Sequence, residues 1–138
     1  MKNKFTITLL VTILVGMMSC TSQQKVLVAN PSNWEVIGTR IVDKHVDHDE
    51  LWVTAARGTY TKLQFQVLQS AVYVNNVRVE YANGSSENHV IQRRFERGTS
   101  SKALDLKGGN RIIKKIIFNY KTIKPRRKKA KIIVKAKR

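Results

Sequence analysis

The stretch VRVEYANGSSENHVIQRRF, residues 77–95, decides the fold of this 138-residue chain. From Val77 to Tyr81, apolar side chains alternate with polar ones, which is the period of two that marks a half-buried β-strand. Asn83-Gly84 follows directly, and this dipeptide is the strongest short hairpin signal because both turn positions require positive φ. With a return strand over residues 88–95, the stretch predicts an antiparallel β-hairpin.

Similar short strands are predicted on both sides of the hairpin. Residues 62–68 alternate in the same way, with Leu63, Phe65 and Val67 on one face. An earlier run begins at Trp34 and is expected to end at Gly38. Because such runs recur every 8 to 12 residues or so between turn residues, the fold class is all-β. We expect a single antiparallel β-sandwich or barrel-like domain.

Residues 111–120 are apolar on both faces, which is typical of a central, covered strand. We expect Ile112, Ile116, Phe118 and Tyr120 to share one face of this strand, interrupted by Lys114. After it, residues 131–135 are predicted to form a closing edge strand. Lysines on such an edge block sheet-to-sheet aggregation.

The amino terminus has the pattern of an export signal. Lys2 and Lys4 precede an apolar run over residues 5–16, and small or apolar residues then lead to Cys20, the only cysteine. The run is shorter than the roughly 20 apolar residues that span a bilayer. These features predict a secretory signal peptide.

The residues Met17-Met18-Ser19-Cys20 resemble the lipobox of bacterial lipoproteins. This resemblance implies cleavage before Cys20, lipidation of Cys20 and attachment of the mature chain to a lipid bilayer. The alternative is an ordinary signal peptide that is cut near a chance cysteine. The expected organisation is a signal peptide over residues 1–19, a lipidated cysteine and tether over 20–33, and the β-sandwich domain over 34–138.

The resemblance also predicts the location, which is the cell envelope. Thr21 follows the cysteine in place of the aspartate associated with inner-membrane retention in enteric bacteria, so the outer membrane is favoured. With Cys20 lipidated, no thiol remains for a disulfide, a thiolate metal site or a nucleophile.

The charge is distributed unevenly along the chain. The sequence has 26 basic and 9 acidic residues, and all nine acids lie between Glu35 and Asp105. From Lys107 to Arg138 there are 14 basic residues and no acid. The carboxyl end therefore differs in electrostatic character from the nearly neutral body of the domain.

A basic cluster near the carboxyl end is the candidate anion-binding site. Concentrated positive charge binds polyanions by releasing their counterions. Because the chain is predicted to be exported, we expect an anionic envelope component, namely anionic lipid, lipopolysaccharide phosphate or acidic glycan, and we do not expect nucleic acid. The alternative is that this charge serves only edge protection and solubility. The cluster comprises Lys124, Arg126, Arg127, Lys128 and Lys129, with Pro125 interrupting strand pairing.

An acidic segment is the candidate metal site. Carboxylates that are close in sequence repel one another, and Ca²⁺ relieves this repulsion while taking six to eight oxygen ligands. His45 and His48 with a carboxylate offer a zinc alternative. The third interpretation is a solvated turn, in which aspartate is favoured by local backbone hydrogen bonds. The candidate ligands are Asp43, Asp47 and Asp49.

No catalytic motif is found. The chain has no Gly-x-Ser-x-Gly elbow, no phosphate-binding Gly-rich loop and no His-Glu-x-x-His sequence. We therefore expect no enzymatic activity and no cofactor beyond a calcium or zinc ion at the acidic segment. Four aromatic residues offer a sugar-stacking platform, although aromatic residues in strands usually belong to the core. They are Trp34, Trp52, Tyr60 and Tyr73.

Several short motifs occur in order between residues 34 and 120. They are Ile37-Gly38, Asp47-x-Asp49, Gly58-x-Tyr60, the hairpin at residues 77–84, Gly98-x-x-Ser101-x-x-Leu104-Asp105-Leu106 and Gly109-x-Arg111-x-Ile113. In order and spacing, these motifs resemble a family of small secreted bacterial β-sandwich proteins of unassigned function. The resemblance implies the fold, an exported location and a last strand near residues 130–136. It implies no catalytic residues.

Taken together, these features predict a non-catalytic envelope lipoprotein whose basic carboxyl segment contacts an anionic component. A structural or assembly subunit that binds an unidentified partner protein is the first alternative. A metal-dependent envelope hydrolase that uses residues 43–50 is the second.

Overall fold

The domain is a sandwich of two antiparallel four-stranded sheets, which confirms the all-β prediction. The computed structural model describes residues 33–42, 48–121 and 129–138. The predicted signal peptide, Cys20 and the tether up to residue 32 lie outside the described residues. In the described part of the chain, no helix is both long and apolar enough to cross a membrane.

The described residues form eight strands and one short 3₁₀ turn. The strands are β1 (Trp34–Ile41), β2 (His48–Trp52), β3 (Lys62–Leu68), β4 (Val72–Tyr81), β5 (Ser86–Phe95), β6 (Leu104–Asp105), β7 (Ile113–Lys121) and β8 (Lys131–Lys137), and the 3₁₀ turn is Ala55–Arg57. Sheet A has the order β1-β8-β3-β6, and sheet B has the order β2-β7-β4-β5.

The predicted hairpin is β4 and β5, joined by the turn at Asn83-Gly84. Gly84 has a φ of 85°, but Asn83 lacks the positive φ that was expected at both turn positions, so the turn is not of the predicted type. The N–H of Gly84 donates to the carbonyl of Tyr81 at 3.0 Å and the N–H of Tyr81 donates to the carbonyl of Ser85 at 2.9 Å, which gives a three-residue loop with a left-handed glycine at its end. The side chain of Asn83 accepts a hydrogen bond from the backbone N–H of Ser85 at 3.1 Å. The two strands pair from Glu80 opposite Ser86 back to Val72 opposite Phe95. The hairpin forms one half of sheet B.

The core lies between the sheets and is built from the alternating apolar positions. On β3, Leu63, Phe65 and Val67 are all buried, as their spacing predicted. The ring of Phe65 meets Phe95 edge-on at 4.9 Å between centroids and Phe118 at 5.4 Å. Aromatic side chains from three strands of both sheets therefore meet at the centre of the sandwich.

The last strand is not an edge strand, so that prediction is wrong. β8 lies inside sheet A, where it pairs along its whole length with β1 on one side and β3 on the other. Its even-numbered positions, Ile132, Val134 and Ala136, are buried in the core. Edge protection therefore does not explain the lysines of β8.

Gly38 does not end a strand, contrary to the expectation from its sequence. β1 continues through this glycine, with a shift in register between Val36 and Gly38. A Cβ atom at this position would lie 2.6 Å from Cδ1 of Leu51 on β2. The side chain of Leu51 therefore packs directly against the backbone of β1, and any larger residue at position 38 would require this side chain to move.

The predicted faces of β7 are correct except at its beginning. Ile116, Phe118 and Tyr120 are buried, but Ile112 is exposed and Ile113 is buried instead. The pairing with β4 runs from Lys115 opposite Glu80 to Ile113 opposite Tyr81, which leaves Lys114 as an extra residue. This β-bulge shifts the alternation by one position.

Candidate functional site

A row of lysines covers the outer face of sheet A. Since the even positions of β8 and the odd positions of β3 point into the core, the remaining positions point outward. Lys137 and Lys62 are neighbours across the two strands, and Lys135 and Lys131 follow along β8. We call Lys62, Lys131, Lys135 and Lys137 the lysine face. The side chains are half-buried because their aliphatic stems lie along the sheet.

Apolar side chains on β1 border the lysine face. Val36 pairs with Lys135 and is 51% exposed, and Ile41 pairs with Lys131 and is 56% exposed. Single exposed apolar side chains are common on protein surfaces, but these two flank a row of cationic side chains. The outer face of sheet A therefore combines positive charge with accessible apolar surface.

The lysine face has little negative charge beside it. Asp105 pairs with Lys62 at 2.5 Å. Within residues 33–42, 48–121 and 129–138, no carboxylate forms an ion pair with Lys131, Lys135 or Lys137. Three ammonium groups on one flat surface therefore have no acidic partner among the described residues, and their charge is available to an outside anion.

A shallow depression extends the lysine face at the end where Ile41, Lys131 and Leu68 lie side by side. Its volume is about 530 Å³. Two cationic side chains, Arg97 and Lys129, stand at its rim, so it suits a small anionic group such as a phosphate. We call this depression the end pocket, and it is lined by Leu68, Gln69, Arg97, Gly98 and Lys129.

The charges at the centre of the outer face of sheet B are paired instead, although Lys114 and Lys121 of β7 form no ion pair with any described residue. Lys115 on β7 contacts Glu50 at 2.9 Å and Glu80 at 3.6 Å, and Arg78 contacts Glu80 at 3.7 Å. The hydrogen bond between Lys115 and Glu50 raises the pKa of the lysine and lowers the pKa of the carboxyl group. The two sides of the sandwich therefore differ in their electrostatics.

A family model with the description "Domain of unknown function (DUF2541)" matches residues 8–136. The chain belongs to this family. Searches of the curated proteins and of the solved structures found no significant match. The membership agrees with the resemblance to a β-sandwich family of unassigned function.

One of the five predicted anion-binding residues of this DUF2541 domain is described. Lys129 lies at the end pocket. The other four, Lys124, Arg126, Arg127 and Lys128, lie outside the described residues. Sequence reasoning missed Lys62 and Arg97, because only the strand order brings β3 next to β8. The alternation at residues 62–68 showed that the side chain of Lys62 points outward. It did not show which strand lies beside β3.

The proposed metal ligands of the DUF2541 domain are described only in part. Asp49 is on β2, is 4% exposed and accepts a hydrogen bond from Nε of Arg40 at 3.3 Å. Asp43, His45 and Asp47 lie outside the described residues. In the described ranges, no three His, Cys, Asp or Glu side chains are grouped so that they could hold a metal ion.

The four aromatic residues considered for sugar stacking have different environments. Tyr60 belongs to the core, and its hydroxyl donates to the carboxylate of Glu35. Burial and this carboxylate raise the pKa of Tyr60 to about 12. Trp52 is 62% exposed on the outer face of sheet B. Trp34 and Tyr73 are half-buried.

A buried carboxylate at the hairpin end is the other notable cluster of the DUF2541 domain. Glu87 has a side chain only 6% exposed, and it accepts hydrogen bonds from the hydroxyl of Tyr81 at 2.6 Å and the backbone N–H of Lys107 at 3.1 Å. Nε2 of His89 lies 2.9 Å from the same carboxylate. Arg111 stacks on Tyr81 at 4.0 Å. These contacts fix residues 107–111 against the hairpin, so we interpret the cluster as structural.

Replacing Glu87 by glutamine is expected to destabilise the domain by about 1–3 kcal/mol at pH 7. Burial alone would raise the pKa of Glu87, but the hydrogen bonds from Tyr81, His89 and Lys107 outweigh it and lower the pKa. The stabilisation is therefore complete above the ordinary pKa of 4.5 and is lost as the pH falls through the lowered value. Urea unfolding at pH 7 and pH 3 should show the difference between wild type and Glu87→Gln shrinking at the lower pH.

Glu96→Gln is the matched control for this experiment. Glu96 pairs with Arg94 at 2.6 Å, but both side chains are largely exposed. Its replacement should change the stability by less than about 1 kcal/mol, because exposed ion pairs contribute little. If Glu87→Gln were no more destabilising than this control, the cluster would not be structural.

Proposed function

We propose that this DUF2541 domain is a non-catalytic, lipid-anchored lipoprotein of the cell envelope whose lysine face binds a phosphate-bearing lipid surface. The observation that carries the proposal is the outer face of sheet A. There, Lys131, Lys135 and Lys137 have no acidic partner among the described residues and stand beside the exposed side chains of Val36 and Ile41. Cationic groups next to apolar ones suit the boundary between headgroups and acyl chains.

The anchor part of the proposal rests on residues 5–20, where an apolar run ends at Cys20. The family match begins at residue 8, inside this run. The lipobox resemblance implies lipidation of Cys20 and acylation of the new amino terminus, and this combination gives stable attachment by itself. The role proposed for the lysine face is therefore to orient the domain on the bilayer, and the outer membrane is the favoured location.

The arrangement of the strands supports an orientation flat on the bilayer. Trp34, which follows the tether, pairs with Lys137 at one end of β8. Lys131 begins the other end, next to Lys129 and the basic cluster before it. β8 is roughly 20 Å long at 3.3 Å per residue. The tether and the basic cluster therefore connect to opposite ends of the lysine face.

The expected strength follows from the charges. Each lysine near an anionic membrane contributes about 1 kcal/mol, and the contribution falls off within a Debye length of about 8 Å. Three lysines on one flat surface can all approach the headgroups at once. Their replacement should therefore weaken membrane binding by about 100-fold.

Vesicle binding tests the proposal with a chain that begins at Thr21, so that no lipid anchor contributes. Vesicles of phosphatidylcholine alone are compared with vesicles that also contain phosphatidylglycerol, and with vesicles that contain lipopolysaccharide. We expect binding to both phosphate-bearing surfaces, a steep decrease at high salt, and a loss of about 100-fold when Lys131, Lys135 and Lys137 are replaced by glutamine.

The control variant removes the same number of charges elsewhere. Lys107, Lys114 and Lys121 are exposed and do not belong to the lysine face. Lys114 and Lys121 are on β7, and the backbone N–H of Lys107 donates to Glu87 on β5. Their replacement by glutamine should have a smaller effect. In a further variant, Lys124 and residues 126–129 are replaced by uncharged residues. Its loss of vesicle binding measures how much the basic cluster contributes. If the lysine-face variant and the control lost the same amount of vesicle binding, the binding would not be specific to the lysine face. If vesicle binding did not decrease at high salt, the mechanism would not be electrostatic.

A further inference from the structure

The outer face of sheet B carries a row of three asparagines on adjacent strands. Asn119 on β7 pairs with Asn76 on β4, and the amide of Asn76 donates a hydrogen bond to the side-chain oxygen of Asn88 on β5. All three side chains point outward, because their neighbours along each strand point into the sandwich. An amide group offers both donors and an acceptor, as a sugar hydroxyl group does.

The asparagines surround a concave part of this face. The depression has a volume of about 420 Å³ and is open to solvent. Arg78, on its floor, also donates a hydrogen bond to the hydroxyl of Ser86 at 3.2 Å. Several donors and acceptors therefore converge on one shallow groove. Its lining residues are Asn76, Arg78, Ser86, Glu87, Asn88 and Asn119.

An aromatic side chain lies at each end of this face. Trp52 pairs with Lys115, four residues before Asn119 on β7, which corresponds to roughly 13 Å along the strand. Nζ of Lys115 lies 4.9 Å from the centre of the indole ring. At the other end, Tyr73 pairs with Lys121, whose Nζ lies 5.8 Å from the phenol ring. The exposed indole is a flat apolar surface beside a polar groove.

The paired charges next to the groove favour an uncharged ligand there, and the charge of Lys121 lies at the far end of the face beside Tyr73. Glu50 and Glu80 neutralise Lys115, and Glu80 also pairs with Arg78. A polyanion would have to break these pairs, whereas a neutral molecule leaves them in place. Amide groups, a paired arginine and an exposed indole match a chain of hydroxyl groups with apolar C–H faces.

We propose that the outer face of sheet B binds an uncharged oligosaccharide, with Trp52 stacking on one sugar ring and the asparagine row hydrogen-bonding to another. The site is on the opposite side of the sandwich from the lysine face, and it does not depend on the lipid-binding proposal. When the lysine face lies on a membrane, this site points away from it. The domain then presents a glycan-binding surface to the space beside the membrane.

Isothermal titration calorimetry with the full-length chain tests the proposal. The protein is held in a zwitterionic detergent, because glycoside detergents would compete for the site. The probes are cellohexaose and the hexasaccharide of N-acetylglucosamine. We expect at least one of them to bind, and we expect Trp52→Ala and Asn119→Ala each to weaken that binding about 10-fold, which is the usual effect of losing one good contact.

Val36→Ala, which changes an exposed apolar residue on the other sheet, is the matched control and should bind as the wild type does. Near-ultraviolet circular dichroism and the unfolding midpoint of each variant show that the fold is intact. The proposal is overturned if neither hexasaccharide binds at millimolar concentration. It is also overturned if Trp52→Ala and Asn119→Ala bind like the wild type, or if Val36→Ala weakens binding as much as they do.

Discussion

Removal of residues 131–138 is expected to abolish folding of the domain, although these residues include four of the cations that make the carboxyl end so basic. Among the described strands, β8 is the only partner of β1 and the main partner of β3. Without it, sheet A loses its centre, and no other described strand pairs with β1. The truncated chain should show no cooperative urea transition and no near-ultraviolet circular dichroism signal.

The free energies that would be lost with β8 are large enough to unfold the domain completely, and not only to reduce its stability. Burial of Ile132 and of Val134 is worth about 1.5–3 kcal/mol each, and detachment of β1 would also expose Ile37. Such losses compare with a total stability of about 5–15 kcal/mol for a domain. A truncation that still unfolded cooperatively would contradict the interior position of β8.

The matched control for the truncation keeps β8 and removes only its charge. In a variant with Lys131, Lys135 and Lys137 replaced by glutamine, every backbone pair and every buried side chain of the strand remains. This variant should unfold cooperatively. A deletion therefore cannot be used to test the role of the basic carboxyl end, and substitutions are required.

Replacement of Phe65 by alanine is expected to destabilise the domain by about 3–5 kcal/mol. Phe65 is fully buried on β3 and meets Phe95 and Phe118 edge-on, so its loss leaves a cavity between the two sheets. The surrounding strands are held by backbone hydrogen bonds and cannot collapse into the cavity. Urea unfolding at pH 7 measures the change.

Val90→Ala is the control for this core substitution. Val90 is a large apolar residue on β5, but it is exposed, so its truncation creates no cavity. We expect a change within about 0.5 kcal/mol. A loss below about 1 kcal/mol for Phe65→Ala would mean that the aromatic cluster does not form the centre of the core.

The sequence was sufficient to predict part of the local structure. The alternation at residues 62–68 predicted β3, and the dipeptide Asn83-Gly84 predicted the position of the hairpin turn, because each signal depends only on neighbouring residues. The placement of Ile112 on the same face as Ile116, Phe118 and Tyr120 was wrong, since the extra residue Lys114 shifts the alternation and Ile113 takes that place in the core. Whether a residue lies in a bulge depends on the partner strand, which periodicity alone does not reveal.

The sequence could not predict which residues lie side by side on neighbouring strands, and these neighbours define the candidate site. The sequence shows a block of basic residues at the carboxyl end, but it does not show that Lys62 lies beside Lys137. It also does not show that Lys115 is paired with Glu50 while Lys135 has no acidic partner among the described residues. Both facts follow from strand order, which depends on contacts between residues that are far apart in the chain.

The interior position of β8 has a consequence for synthesis of the chain. β1 is the first described strand and β8 is the last, and Arg138 donates a hydrogen bond to Glu35, 103 residues away. A nascent chain still attached to the ribosome can form the hairpin of β4 and β5 early, but it cannot complete sheet A until β8 has been synthesised. During synthesis, the central strand of sheet A therefore becomes available only after every strand of sheet B has been made.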